Sequence, residues 1–257
     1  MAETEHAQKK ARTASDDYEL IYWPGIPGRG EPMRLLFEEA GVDYRDTAKG
    51  KDGIDRVLAA IKPGFEPGGQ KDNIPPLAPP MLRAGDLFLS QSPNILLFLG
   101  ERLPGLIPGD VSVNKYRVNQ LALTALDLQN EAHDTHHPVA TSAYYDDQKP
   151  EAKRAAAEFR DSRIPKFFGY FERVISSSEG PYLLFEFSYA DLVLWHVLDG
   201  CQFAFPKAVA RTFEKNPKLK ELYDTVAARA RIAAYLGSDR RANYGDGIYR
   251  YYEELDE

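Results

Sequence analysis

Between Tyr18 and Gly41 (YELIYWPGIPGRGEPMRLLFEEAG) the chain changes its periodicity once, and that change narrows what it can fold into. Tyr18, Leu20 and Tyr22 alternate with Glu19, Ile21 and Trp23 in a run rich in β-branched and aromatic residues, which is the pattern of a strand. Pro24-Gly25 and Pro27-Gly28 then break it, because proline lacks a backbone donor and glycine relaxes the allowed dihedrals. Past Gly30, Met33, Leu36, Phe37 and Ala40 fall on one helical stripe. Glu31 reads as a helix-start charge, Pro32 suits a first turn and Gly41 a C-terminal stop. Val42–Tyr44 reads as a short second strand, which completes a βαβ unit. Between Leu20 and Leu36 there is no Ser, Cys, His or Lys, and Tyr22 carries the one hydroxyl. A phenol at the end of a strand can donate to a developing anion, or it can simply be a wall residue of an α/β core.

The 257 residues allow one or two domains. The hydrophobic content, 43%, is ordinary for a water-soluble chain, and a net charge of −7 argues against nucleic acid or an acidic membrane as partner. No apolar run approaches a membrane span, and the N-terminus has no signal-peptide core. A single cysteine, Cys201, excludes an intrachain disulfide and fits a reducing compartment, so a cytoplasmic location is expected.

Residues 1–17 read as a polar, disordered leader. Gly50–Pro80 combines a short helical pattern with a long Gly/Pro loop, of a length that is more often functional or mobile than bland. Met81–Leu89 reads as a hairpin turning at Ala84-Gly85-Asp86. Ser92 is then a good N-cap and Pro93 a good first helical residue. A capped helix start offers free N–H groups to a carboxylate, or is no more than a cap. Pro104–Asp110 marks the domain boundary, and the chain beyond it reads helical. Val118–Leu128 and Ile164–Ile175 carry apolar stripes, with Pro165 either starting or kinking the second. Ser188–Asp191 is a capping box ahead of an all-round apolar helix that should be central, with Phe187 and Leu192 as a candidate staple. Pro206 and Pro217 begin two shorter helices. The fold class is therefore a small βαβ–ββα domain (18–103), a linker (104–110), an all-helical domain (111–240) and an acidic, Tyr-rich tail (241–257).

Tyr22 ending the first strand, GRGEPMRLLFEEAG, prolines ahead of Gln91-Ser92, and a helical half containing SYAD together resemble a cytosolic glutathione transferase, closest to the tyrosine-type, sigma-like classes. The resemblance covers Tyr18 to Tyr235 and implies a thioredoxin-like N-terminal domain, a helical domain shaping an electrophile pocket, and a homodimer. It implies glutathione as co-substrate, with no metal. It makes Tyr22 the catalytic tyrosine and Gln91-Ser92 the pair holding the γ-glutamyl end. Arg29 and Glu31 match positions of the first loop and helix, and Pro80 matches the cis-proline. Asp127 is similar to an aspartate that reaches the partner subunit's glutathione. Trp23 sits where it could close one side of the pocket.

The chain also departs from that pattern. The residue before the cis-proline, which pairs with the cysteinyl part through both N–H and C=O, is here Pro79, with no N–H to give. Alternatively Pro79 is itself cis and Ala78 supplies the pairing. Elsewhere, His133, His136 and His137 with Asp134 could hold a metal, line the electrophile pocket with Tyr144 and Tyr145, or stand in solvent. His196 reads as a satisfied core histidine and Cys201 as inert.

Overall fold

The structure, a computed structural model, describes residues 18–257; the leader read over residues 1–17 lies outside the described residues. The first unit runs β1 (Tyr18–Ile21), a 3-10 turn (Gly28–Gly30), α1 (Glu31–Ala40), β2 (Arg45–Asp46), α2 (Gly53–Ala60), β3 (Met81–Ala84), β4 (Leu87–Ser90) and α3 (Ser92–Arg102). The sheet order is β2-β1-β3-β4, with β1 parallel to β2 and antiparallel to β3. Leu20 faces Leu82, and Met81 faces Ser90, in register. This is the thioredoxin-like arrangement expected of the first domain. The second strand lies later than its sequence pattern indicated. Tyr44 stacks on Phe37 with centroids 4.4 Å apart, so that stretch packs while Arg45 and Asp46 pair with β1.

The second unit is helical: α4 (Val111–Asp134), α5 (Lys149–Glu158), α6 (Ile164–Ser176), α7 (Tyr189–Ala204), α8 (Pro206–Phe213), α9 (Pro217–Ala227) and α10 (Ala230–Leu236). Pro165 starts α6 directly after a π-turn at Phe159–Arg163, where the Ile164 N–H reaches back five residues to the Phe159 carbonyl. The all-apolar helix is central as expected: α7 is buried from Tyr189 to Leu198, His196 included. Its capping box forms around Asp191, whose carboxylate accepts from Ser188 N (2.8 Å), Ser188 Oγ (2.9 Å) and Leu183 N (2.8 Å). Phe187 lies against Tyr182 and the Arg229 guanidinium. No helix of the described residues is long and apolar enough to cross a membrane.

One hydrophobic core spans both units, joining Leu20, Met33, Leu36 and Leu99 to Leu121, Phe168 and Leu194. The linker is part of it: Leu106 and Ile107 are buried, and the Leu106 carbonyl accepts from Tyr189 N. A polar seam reinforces the junction. Glu31, the helix-start charge, is also fully buried; it pairs with Arg34 (3.2 Å) and accepts from the Tyr235 hydroxyl (3.1 Å) on α10. Such a carboxylate persists in the interior because partners from two units replace its water.

The Tyr-rich tail folds back over the helices. Tyr249 is buried against α4 and α7, where a Cβ on Gly200 would collide with its ring. Its hydroxyl accepts from Gln129 Nε2 at 3.4 Å. Tyr252 stacks on Tyr145 (3.8 Å), and the Tyr145 hydroxyl donates to Glu254. Buried Asp256 accepts from Lys207 N and Ala208 N and so caps α8 from a distant part of the chain. Tyr145 is thus covered by the tail, while Tyr144 is exposed. The three histidines form a ring cluster at the end of α4, with centroids 4.6–5.2 Å apart. His136 is buried, and its Nε2 donates to the Ile248 carbonyl at 2.9 Å, so the cluster anchors the tail. Among the described residues, no group of three or more His, Cys, Asp or Glu side chains is arranged to hold a metal ion.

Two outcomes follow for stability. Tyr249→Ala should cost about 3–5 kcal/mol of unfolding free energy in urea, the range for emptying a buried aromatic site; an unchanged midpoint would mean the tail is not part of the cooperative unit. The second concerns pH. Burial pushes His136 and His196 down to about 3, so each is neutral when folded while the unfolded chain takes up a proton below about 6.5. Their stabilising effect is full above that pH and is lost on acidification. Burial raises Asp191 to about 6, which acts oppositely over roughly pH 4–6. The net expectation is a loss of about 1.4 kcal/mol per pH unit between pH 6 and 4.5, which His136→Gln should flatten. Urea midpoints measured across that range check both.

Candidate functional site

The β1–α1 loop is held at three consecutive carbonyls by three different elements. Pro27 O accepts from Arg34 Nη1 of α1 (3.2 Å), Gly28 O from His196 Nε2 of α7 (3.1 Å), and Arg29 O from Ser92 Oγ of α3 (3.4 Å). Arg34 is held in turn by Asp46 of β2 (2.7 Å) and by Glu31. The loop can lie this close because Gly28 adopts φ +49° and a Cβ there would overlap the Tyr22 hydroxyl. Tyr22 stands at the end of β1, buried beneath the loop, and its Oη accepts from Arg29 N at 2.8 Å. Burial pushes the phenol pKa up, against the Arg29 N–H and the nearby Arg29 and Arg34 charges, so the hydroxyl keeps its proton at neutral pH.

Beside this loop lies a cleft of about 300 Å³, walled by Arg29, Pro79, Gln91, Ser92, Leu123 and Asp127 among others. Five of the residues singled out in the sequence, Arg29, Pro79, Gln91, Ser92 and Asp127, therefore meet on one surface. Tyr22 and Trp23 do not line it. Tyr22 sits one layer in, joined to the wall through Arg29, and Trp23 packs against the small cluster of Ile21, Val57, Ala60, Met81 and Phe88.

The start of α3 differs in one respect from its sequence pattern. Gln91, not Ser92, is the capping position, and Ser92 is the first helical residue. Gln91 adopts φ 73°, a conformation that costs a non-glycine residue of the order of 1–3 kcal/mol and recurs at ligand clamps. That turn frees Ser92 to reach Arg29 rather than cap its own helix, and it sets the start of α3, with Ser92, against the cleft. The Pro79-Pro80 bond is cis, so Pro80 is the cis-proline and Pro79 presents a carbonyl but no N–H to the cleft. The long Gly/Pro loop ahead of it is tied down by Asn73, whose side chain donates to Gly68 O and Asp86 O and accepts from Phe88 N. Asp127 is exposed on α4, one turn from Leu123. Cys201 is fully buried, and burial pushes its thiol far up, which leaves it inert.

Two contributors escaped the sequence. His196 matched a core histidine and is one, yet its one donor reaches the loop over Tyr22. Gly247 of the tail lies against Ile26 of the same loop. Neither contact has a local signal, since each joins residues far apart in the chain.

Known proteins resemble the chain over most of its length. Residues 133–239 match the family model of the glutathione S-transferase C-terminal domain. A Plasmodium falciparum (isolate 3D7) protein named glutathione S-transferase is 22% identical over 233 residues, covering 88% of this chain and 98% of its own. Its namesake from Plasmodium yoelii yoelii is 23% identical, over 84% of this chain and 92% of its own. Among solved structures, the Onchocerca volvulus pi-class glutathione S-transferase superposes with a TM-score of 0.62 at 22% identity, covering 86% of this chain and 92% of that one. The chain thus carries a match to the glutathione S-transferase C-terminal domain within its helical unit, and over most of its length it is similar to proteins named glutathione S-transferase and shares their fold.

Proposed function

We propose that the chain is a glutathione transferase that joins the glutathione thiolate to a hydrophobic electrophile, with Tyr22 as the thiolate donor. The observation that carries this is the meeting of Gln91, Ser92, Pro79, Arg29 and Asp127 around one cleft; the Tyr22 hydroxyl lies behind the Arg29 backbone, and for Tyr22 to act the thiol must reach it past that loop. The γ-glutamyl carboxylate sits at the start of α3, where Ser92 N–H and the helix dipole favour an anion and Gln91 adds side-chain bonds. The cysteinyl backbone pairs with the Pro79 carbonyl alone.

A free thiol has a pKa of about 8.5, so only a few per cent is thiolate at pH 7. A protonated phenol donating to sulfur favours the anion; lowering the pKa by about two units, roughly 2.7 kcal/mol, makes thiolate the main form. The thiolate then attacks the electrophilic carbon. The same thiolate would serve isomerase or peroxidase side reactions. The active form is a homodimer in the cytoplasm, with Asp127 reaching the partner's glutathione. Its support is the apolar stripe of Val113, Tyr116 and Leu123, exposed along the α4 face that carries Asp127.

A second reading, a non-catalytic binding protein on the same fold, draws on Pro79: one of two backbone bonds to the ligand is missing, worth about 0.5–1.5 kcal/mol net. Calorimetric titration and turnover of a generic aromatic electrophile separate the two. Wild type should bind glutathione in the micromolar-to-millimolar range, and Gln91→Ala with Ser92→Ala should abolish binding. Tyr22→Phe should keep binding and lose about 10–100-fold in kcat/KM at neutral pH, the thiolate fraction lost when the pKa returns towards the free value. Binding without turnover over a broad electrophile panel would favour the binding protein.

A further inference from the structure

Arg29 N and Gly28 O belong to the same peptide group. Its N–H donates to the Tyr22 hydroxyl at 2.8 Å, and its C=O accepts from His196 Nε2 at 3.1 Å. We propose that His196 is a positioning residue for Tyr22: it fixes and polarises the Gly28–Arg29 peptide, so that this N–H occupies the Tyr22 oxygen and leaves the phenolic proton for the bound thiol. The inference rests on Tyr22 being the thiolate donor.

Each link has a physical reason. A carbonyl can only accept, so Nε2 must carry the ring proton, which fixes the tautomer. The peptide is a conjugated unit, and a hydrogen bond to its oxygen strengthens its N–H as a donor. A hydroxyl has one proton and two lone pairs. Once Arg29 N–H fills one acceptor direction, the phenolic proton is turned away from the loop. The contact is close because the glycine at 28 has no side chain to keep the peptide off the Tyr22 oxygen.

On its other side His196 is packed and not hydrogen-bonded, because Nδ1 is unprotonated and the Tyr244 hydroxyl gives its one proton to Asp199. Its Nδ1 lies 3.4 Å from the Tyr244 hydroxyl, which donates to Asp199 Oδ2 at 2.8 Å. Asp199 also accepts from Arg241 Nη2 (2.5 Å) and from the Tyr223 hydroxyl (2.6 Å). The imidazole is stacked on Tyr244 and meets Tyr249 edge-on. Asp199, Arg241, Arg34, Tyr244 and Tyr249 are thus the charged and titratable groups around it. Burial and the two arginines keep the ring neutral at physiological pH, so it is a constant donor and not a proton shuttle. A histidine serving only to fill the core would need no donor aimed at the loop over the one buried phenol of the site.

The test compares Tyr22→Phe, His196→Gln, His196→Phe and His196→Met. The pKa of the bound thiol is read from thiolate absorbance on glutathione-saturated protein and from the pH profile of kcat/KM. Tyr22→Phe should return it towards about 8.5. The donor-less His196→Phe should raise it by about half a unit to one unit, the size of one weakened hydrogen bond. The glutathione dissociation constant should stay within about twofold, since Gln91 and Ser92 hold the other end. His196→Gln, whose amide N–H can reach the same carbonyl, should restore the wild-type profile, and His196→Met serves as the donor-less variant if the phenylalanine does not fold. A wild-type profile in a folded donor-less variant overturns the inference, as does His196→Gln behaving like His196→Met. If Tyr22→Phe itself leaves the profile unmoved, the thiolate assignment falls and takes the inference with it. A shift in Tyr22→Phe alone leaves the transferase reading standing and removes only His196.

Discussion

The structure depends on how the Pro27–Arg29 backbone is gripped. Short loops between a strand and a helix lie on the surface and gain little from burial. This one is pinned through three successive carbonyls to α1, α7 and α3, elements of both units. Each bond alone is worth about 1 kcal/mol net. Their combined effect is geometric: three anchors hold the loop where the Arg29 N–H points at Tyr22. Preorganisation of this kind is what lets a weak acid act as a directed donor.

The grip also explains why the two units share a core. Arg34 can hold Pro27 only while Glu31 and Asp46 balance its charge, and Glu31 is shielded by Tyr235 from the far end of the helical unit. Removing one partner of such a cluster would strand a buried charge, which costs far more than the cluster contributes. The helical half is therefore not an appendage that shapes a pocket. It completes the electrostatics of the loop.

Local pattern made much of this legible. The strand ending at Tyr22, the helix stopping at Gly41, the hairpin over Met81–Leu89 and the capping box at Ser188–Asp191 are all consequences of short-range chemistry, and each is where its pattern places it. The approach of Arg29, Gln91, Ser92 and Asp127 was legible only through resemblance, because no periodicity encodes a cleft. Glu31 stands in the first turn as its pattern indicates, but its burial left no local trace, because a first-turn acid looks the same whether it faces water or an arginine. His196 and the tail were undervalued for a related reason: their partners lie more than a hundred residues away, and sequence spacing carries no sign of them.

That tail has a consequence for how the chain comes into being. Asp256 supplies the N-terminal cap of α8, and the Leu255 carbonyl receives the Arg160 guanidinium. The start of α8 leaves a ribosome well before Tyr249 and Asp256 do, so its first turn stays uncapped and the slot beside Gly200 stays open until those residues arrive. The helical unit therefore closes late in synthesis, from the C-terminal side of the chain back onto helices already made.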